Sequence, residues 1–350
     1  MPEFDFNAVK SNDNFNCFST FFNYGKSNPS LAFEVIYPSV SIIISTYNQR
    51  NLYKKALESA LGIYYPNLTV IVGDDCSTDD TQDLMEEYTE YTQLKYIRRE
   101  KNLGARINTS DLLYNHCTSE FVMFLNHDDI VTDPTYINET IELFKKHPSL
   151  QLVWANCYII DHNDKVHSQT DYDLAELTDG KEYFINYEIG EYKHITGMVT
   201  SVFRREKAIE MKCMLEESMA LDLFLYLKLM LVGDVGFIKR KVAAYRINPQ
   251  GISNNMKIEY DYTTINELEV IFELAKKYHF STDQLDQWLL NRLALYFQWR
   301  LNTLIKQNEI EDSINLYQYI ANQYPKLKEI LSIQYGVQKI TKPIHNKIRS

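Results

Sequence analysis

Two aspartates side by side, Asp128 and Asp129, end the apolar run Phe121–Leu125. Adjacent like charges raise each other's pKa unless something offsets them. A metal ion, an arginine or plain water could each fill that role. Similar polar endings occur twice upstream. "VSIIIST" (Val40–Thr46) runs into Tyr47 and Asn48, and "LTVIVGDD" (Leu68–Asp75) ends in Asp74 and Asp75. Hydroxyls, an aromatic ring, an amide and paired carboxylates are the groups that would bind a polar, phosphorylated ligand together with a hard cation.

The segments around these residues must position them. Short apolar, β-branched runs ended by polar residues read as buried strands. Between them, Asn51–Leu61 carries Leu52, Ala56, Leu57, Ala60 and Leu61 at helical spacing. Thr78–Tyr91 reads as a helix with an acidic first turn, suited to its positive dipole end. "LKYIRRE" reads as a third strand, Asn108–Cys117 as a helix, and "EFVMFLNHDD" as a fourth strand. Such alternation implies a mainly parallel sheet covered on both faces. Ligands of these sheets bind beyond the carboxyl ends of the strands, so the three polar endings are expected in one crevice. Further on, "LQLVWANCYIID" and Val235–Ile247 read as strand material, and Met219–Gly233 as a helix. From about Asn254 the chain reads helical, with a capping-box signature at Ser281 and Gln284. The expected organisation is an extension over residues 1–37, an α/β domain over 38–253 and a helical domain over 254–350.

Composition narrows the function. The net charge of −11 argues against a nucleic-acid partner. Five irregularly spaced cysteines, with no C-x-x-C pair, fit neither a disulfide framework nor a zinc site and suit a reducing cytoplasm. No secretory leader is evident, and no apolar run approaches the ~20 residues of a membrane helix. A cytoplasmic protein is expected, at most in peripheral contact with the inner face of the membrane. The last twenty residues carry Lys339, Lys342, Lys347 and Arg349 and no acid, which suits either weak attraction to anionic lipid or a frayed tail. The Leu-, Trp- and Tyr-rich helices suit a core or a homo-oligomer interface.

Neither a G-x-G-x-x-G nor a P-loop glycine pattern follows the first strand, so no glycine cradle is available for phosphate. Mg²⁺ or Mn²⁺ on the fourth strand's carboxylates could replace it, with substrate phosphates completing the coordination.

Taken in order, "VSIIISTYNQRN", "VIVGDDCSTDDT", "KNLGARIN", "EFVMFLNHDD" and "ALDLFLYLKLMLVG" resemble the successive motifs of family 2 inverting glycosyltransferases of GT-A fold. The resemblance covers Pro38 to Ser253 and implies a UDP-sugar donor, a glycan or glycoprotein acceptor, and Mn²⁺ or Mg²⁺ as cofactor. Ser45, Thr46 and Tyr47 would line the nucleoside pocket, and Asp75 would accept from the uracil imide. Asp128 would bind the metal, with Asn126 standing where the family has the first acid of D-x-D. Asp222 would be the general base, with Leu221 in place of the acid before it. Arg106 and Arg246 would approach the diphosphate. Asn248 replaces a histidine found in many relatives, and His194 with Thr196 falls where acceptor-contacting loops occur.

Blander roles are open for the same residues. "DDCSTDD" would make a good helix cap, and Asp222 could be a buried ion-pair partner. Arg106 and Arg246 could be surface arginines. The departures at Asn126, Leu221 and Asn248 also suit a silent sugar-nucleotide-binding or scaffolding subunit. A nucleotidyltransferase also pairs carboxylates with an α/β sheet, but the Gly- and Arg-rich first loop expected of one is absent.

Overall fold

A computed structural model describes residues 36–249, 251 and 255–327. Most of the N-terminal extension and the basic C-terminal tail lie outside the described residues. The chain divides into two compact units. One holds the described residues up to Leu215 together with Lys228 onward to the end of the sheet, and the other holds Glu216–Leu227 and the described residues from Asn255. One division falls between residues 254 and 255, and Glu216–Leu227 groups with the helices that follow it.

The first unit is built on one mixed sheet. Its strands are β1 (Val40–Thr46), β2 (Leu68–Asp74), β3 (Leu94–Arg98), β4 (Phe121–Phe124), β5 (Ile130–Val131), β6 (Leu150–Ile160), β7 (Val166–Gln169), β8 (Leu177–Thr178), β9 (Ser201–Arg204) and β10 (Asp234–Arg246). The order is β3-β2-β1-β4-β9-β6-β10-β5, with β7 on β6 and β8 on β10. The long ladders are parallel (β1 with β2 and β4, β2 with β3, β6 with β10), and the antiparallel ones are short. Val40, Ile42, Ile44, Val70, Val72 and Met123 are all fully buried, so these strands face protein rather than water.

Helix α1 (Arg50–Leu61) buries Tyr53, Ala56, Leu57 and Ala60. The next helix is shorter than its sequence suggests. Only Thr81–Leu84 (α2) is α-helical, and Met85–Tyr88 tightens into a 3₁₀ turn. Helix α3 (Ala105–Asp111) starts before Asn108 and ends in a π turn over Leu112–His116. Helix α4 (Tyr136–Lys146) follows β5, α5 (Gly180–Asn186) follows β8, and α6 (Arg205–Glu210) follows β9.

Helix α7 (Leu221–Val232) spans the division between the units. The second unit continues with α8 (Ile258–Ala275), α9 (Thr282–Lys306) and α10 (Ile310–Gln323). The Ser281–Gln284 capping box forms as expected at the start of α9. Leu268, Trp288, Phe297, Leu304 and Leu316 fill the interior, where a buried Arg300–Asp261 pair at 2.9 Å takes a third bond from the Tyr296 hydroxyl. Among the described residues no helix is long and apolar enough to cross a membrane.

Candidate active site

The parallel register brings the first two polar endings together. Ser45 pairs with Gly73 and Thr46 with Asp74, and the Asp75 N–H donates to the Thr46 carbonyl at 2.9 Å. On the other side of β1, the Leu125 N–H donates to the Ile43 carbonyl at 2.9 Å, which carries Asn126–Asp129 out at the same sheet end.

The turn after β1 is fastened to the turn after β2. Asn48 and Gln49 both adopt left-handed backbone, with φ of 57° and 58°. Asn is among the residues that tolerate it. The Asn48 N–H donates to Ser77 Oγ at 2.8 Å, and Asn48 Oδ1 accepts from the Thr78 N–H at 2.9 Å. Asp79 accepts from the Arg50 N–H. The polar cluster "DDCSTDD" thus caps a neighbouring turn rather than coiling as the first turn of its own helix. Tyr47, 42% exposed, keeps its ring accessible beside this weld, and Thr46 is buried.

Asn108 joins these strands from below. Fully buried on α3, it donates through Nδ2 to Ser45 Oγ and to the Gly73 carbonyl, both at 2.8 Å. Its Oδ1 accepts from Arg99 Nε at 2.9 Å. Gly73 makes room for it, since a Cβ there would stand 2.6 Å from a Leu112 methyl and 2.9 Å from Asn108 Oδ1. A glycine inside a strand run is the sequence signal for such a close approach.

Asp74 and Asp75 take separate roles. Asp74 accepts from the Ser77 N–H and the Tyr96 hydroxyl. Asp75, 1% exposed, accepts from the Leu103 and Gly104 amides, one on each oxygen, both at 2.8 Å. The carboxylate proposed for a uracil imide therefore already anchors the Asn102–Gly104 turn. Arg106, on the first turn of α3, is half-buried.

The question posed by Asp128 and Asp129 has a structural answer: they point into different environments. Asp129 is 1% exposed, accepts from the Arg246 N–H at 2.8 Å, and takes Nδ2 of the exposed Asn126 at 3.2 Å. Burial, with the Asp128 charge beside it, pushes Asp129 well above the usual carboxylate range, against those donors. Asp128 is half-buried, and its Oδ2 accepts from Asn248 Nδ2 at 2.8 Å. The same amide donates to Gln49 Oε1 at 3.1 Å, linking Asp128 to the turn after β1.

Arg246 departs from the expected role. Its side chain is 1% exposed. Nε donates to the Asp128 carbonyl at 2.7 Å, Nη1 to the Asp161 carbonyl at 2.7 Å, and Nη2 to Asp164 Oδ1 at 2.6 Å. Three of its N–H groups are engaged inside the protein, and through them it braces the Asp128 loop. Asp164, the other end of that brace, escapes sequence reasoning, although the Asp161–Asp164 turn between two strand runs is a readable signal.

His194 Nδ1 stands 3.0 Å from Glu188 Oε1. Asp222 lies in the second unit, half-buried in the first turn of α7, and its Oδ1 accepts from the Leu223 N–H at 2.9 Å.

Residues 41–211 match the family model described as Glycosyl transferase family 2. Over this stretch, just under half of its length, the chain is similar to family 2 glycosyltransferases. It is 25% identical over 217 residues to an uncharacterized protein of Mycobacterium tuberculosis, covering 61% of this chain and 60% of that relative. It is 30% identical over 119 residues to the poly-beta-1,6-N-acetyl-D-glucosamine synthase of Staphylococcus epidermidis, covering 33% of this chain and 28% of the synthase. Among solved structures, S. aureus TarS 1–349 in complex with UDP-GlcNAc superposes with a TM-score of 0.64 at 18% identity, over 86% of this chain and 88% of that one. The first unit thus has the GT-A fold that its motifs implied.

Among the described residues of this domain, no three His, Cys, Asp or Glu side chains are grouped to hold an ion by themselves. The donors at the crevice are nonetheless oxygens, and Asp128 Oδ1 makes no hydrogen bond among the described residues. One carboxylate presented in this way fits a cation such as Mg²⁺, which keeps waters and takes other ligands from substrate phosphate.

Proposed function

We propose that the chain transfers a sugar from a UDP-sugar to a hydroxyl of a growing glycan, with inversion at the anomeric carbon. The observation that carries this reading is the convergence of Ser45–Tyr47, Asp75 and Asp128 at one end of three adjacent parallel strands. Tyr47 offers a face for the base and Ser45 a hydroxyl for the nucleoside. Arg106 would approach the diphosphate from α3. Asp128 would hold Mn²⁺ or Mg²⁺, and Asn126 holds Asp129 in place behind it. A bound divalent cation supplies Lewis-acid stabilisation of the charge on the departing diphosphate.

Asp222 is the general base in this reading. It takes the proton of the acceptor hydroxyl as that oxygen attacks the anomeric carbon from the face opposite the leaving group, a contribution of about 10²–10⁴-fold. The UDP-GlcNAc complex of the similar TarS structure supports a UDP-sugar donor, and the polymer-making S. epidermidis relative supports a polymer-linked glycan as acceptor. The reaction would run in the cytoplasm, at the inner face of the membrane, and the helices from Asn255 onward would supply a homo-oligomer contact.

A screen of UDP-sugars for hydrolysis in the presence of Mn²⁺ tests the reading. Donor-dependent release of UDP supports it. Donor binding without turnover under any acceptor or metal would favour a silent binding subunit, the reading suggested by Asn126 and Asn248.

A further inference from the structure

We propose that Asp164 is a positioning residue of the donor site: through Arg246 it fixes the backbone of Asp128, and through Lys55 it ties that loop to helix α1. The inference rests on the reading of Asp128 as a donor-site residue, but the geometry stands apart from it. Asp164 sits in the turn between β6 and β7, where Asp161 Oδ1 accepts from the Asn163 and Lys165 amides at 2.8 and 3.0 Å. Its φ of 65° is left-handed, a conformation that Asp tolerates better than most residues.

From there the carboxylate serves two cations. Oδ1 takes Arg246 Nη2 at 2.6 Å, and Oδ2 pairs with Lys55 Nζ on α1. The guanidinium is planar and its donors are fixed in direction. Holding one edge on Asp164 and the Asp161 carbonyl therefore sets where Nε points, and Nε points at the Asp128 carbonyl. The Arg246 N–H meanwhile holds the Asp129 carboxylate. Three segments distant in sequence (α1, the β6–β7 turn and the end of β10) thus converge on the peptide that presents Asp128. None of this requires Asp164 to touch a substrate.

The left-handed backbone makes a clean test available. Glycine adopts φ > 0 without strain, so Asp164→Gly removes the carboxylate and leaves the turn comfortable. Asp164→Asn keeps one acceptor oxygen for Arg246, and removes the charge and the acceptor that faces Lys55. Amide hydrogen exchange on the full chain reads the local effect, and calorimetry with UDP and Mn²⁺ reads the donor site without any turnover. In Asp164→Gly, exchange should quicken at Asp129 and Arg246 while Ile42 and Val72 in the central strands stay protected. UDP affinity should fall about ten- to a hundredfold, the usual cost of losing a group that orients a ligand-binding residue. Asp164→Asn should fall between wild type and Asp164→Gly on both readouts.

Unchanged exchange at Asp129 and Arg246 would overturn the proposal, as would loss of protection spread evenly over the sheet or an unchanged UDP affinity. Should the wild-type chain bind no UDP at all, the function proposed above fails, and the exchange comparison alone still decides whether Asp164 positions Asp128.

Discussion

Arg246 Nε donates to the carbonyl oxygen of Asp128 at 2.7 Å across 118 residues of sequence. The loop that carries the candidate metal-binding carboxylate is therefore built on a buried cation. Lysine has one compact ammonium and cannot reproduce three directed donors. Arg246→Lys should cost roughly 2–4 kcal/mol, since it breaks a buried hydrogen-bonded charge network. Urea denaturation reads this directly, and a midpoint equal to wild type would show that the brace is dispensable.

Asp128→Ala should abolish metal-dependent UDP binding. Calorimetric titration of UDP with and without Mn²⁺ separates that role from simple contact with the ligand. An Mn²⁺ enhancement of equal size in wild type and variant would remove Asp128 from the metal role.

Asp222→Asn keeps the shape of the side chain and removes its basicity. Donor affinity should stay close to wild type, while transfer falls by at least about 10²-fold. Initial rates at saturating donor check it. A near-wild-type rate would send the search for the base elsewhere, with His194 beside Glu188 the next group to test.

Asn108→Leu should destabilise the first unit by roughly 1–3 kcal/mol, because it leaves Arg99 Nε without its acceptor and removes a buried bond to the Gly73 carbonyl. It also frees Ser45 Oγ, so UDP affinity should weaken together with stability. Thermal melting and UDP titration on the same variant show whether the two losses travel together.

Asp164 gives a pH signature. Burial raises its pKa, yet the hydrogen bonds from Lys55 and Arg246 outweigh that and hold the carboxyl below its usual range. A folded-state pKa below the unfolded one means the pair adds stability above pH about 4, and that the gain disappears as pH falls through the folded-state value. Wild type should therefore melt above Asp164→Asn at pH 7, with the gap closing as the pH is taken below the usual carboxylate range. A gap that stays constant would assign the difference to shape, not charge.

Much of this site is legible in the chain, for one reason. Continuous apolar runs such as Val40–Ile44 specify strands buried on both faces, hence parallel pairing, and parallel pairing aligns their carboxyl ends. That logic alone gathers Thr46, Asp75 and Asp128. It says nothing about which polar groups turn inward. Asn108 falls at the start of a segment read as a helix, and only the gap over Gly73 shows that it is interior. Asp75 and Arg246 look available for a ligand until their partners at Gly104 and Asp164 are known, and those contacts depend on loops whose paths no local pattern dictates. The acidic stretch after Asp75 misleads in the same way. It suggests a long helix, whereas Asn48 captures the Ser77 and Thr78 groups that would have begun it.

The sheet order has one further consequence. Among the described residues β3 lies outermost beside β2, with no strand paired on its other flank. It is short and carries Lys95 and Arg98, whose cations reach back to the His116 and Ser77 carbonyls. A strand from another molecule docking there would have to strip water from that charged margin, so the rim resists templated growth into fibrils.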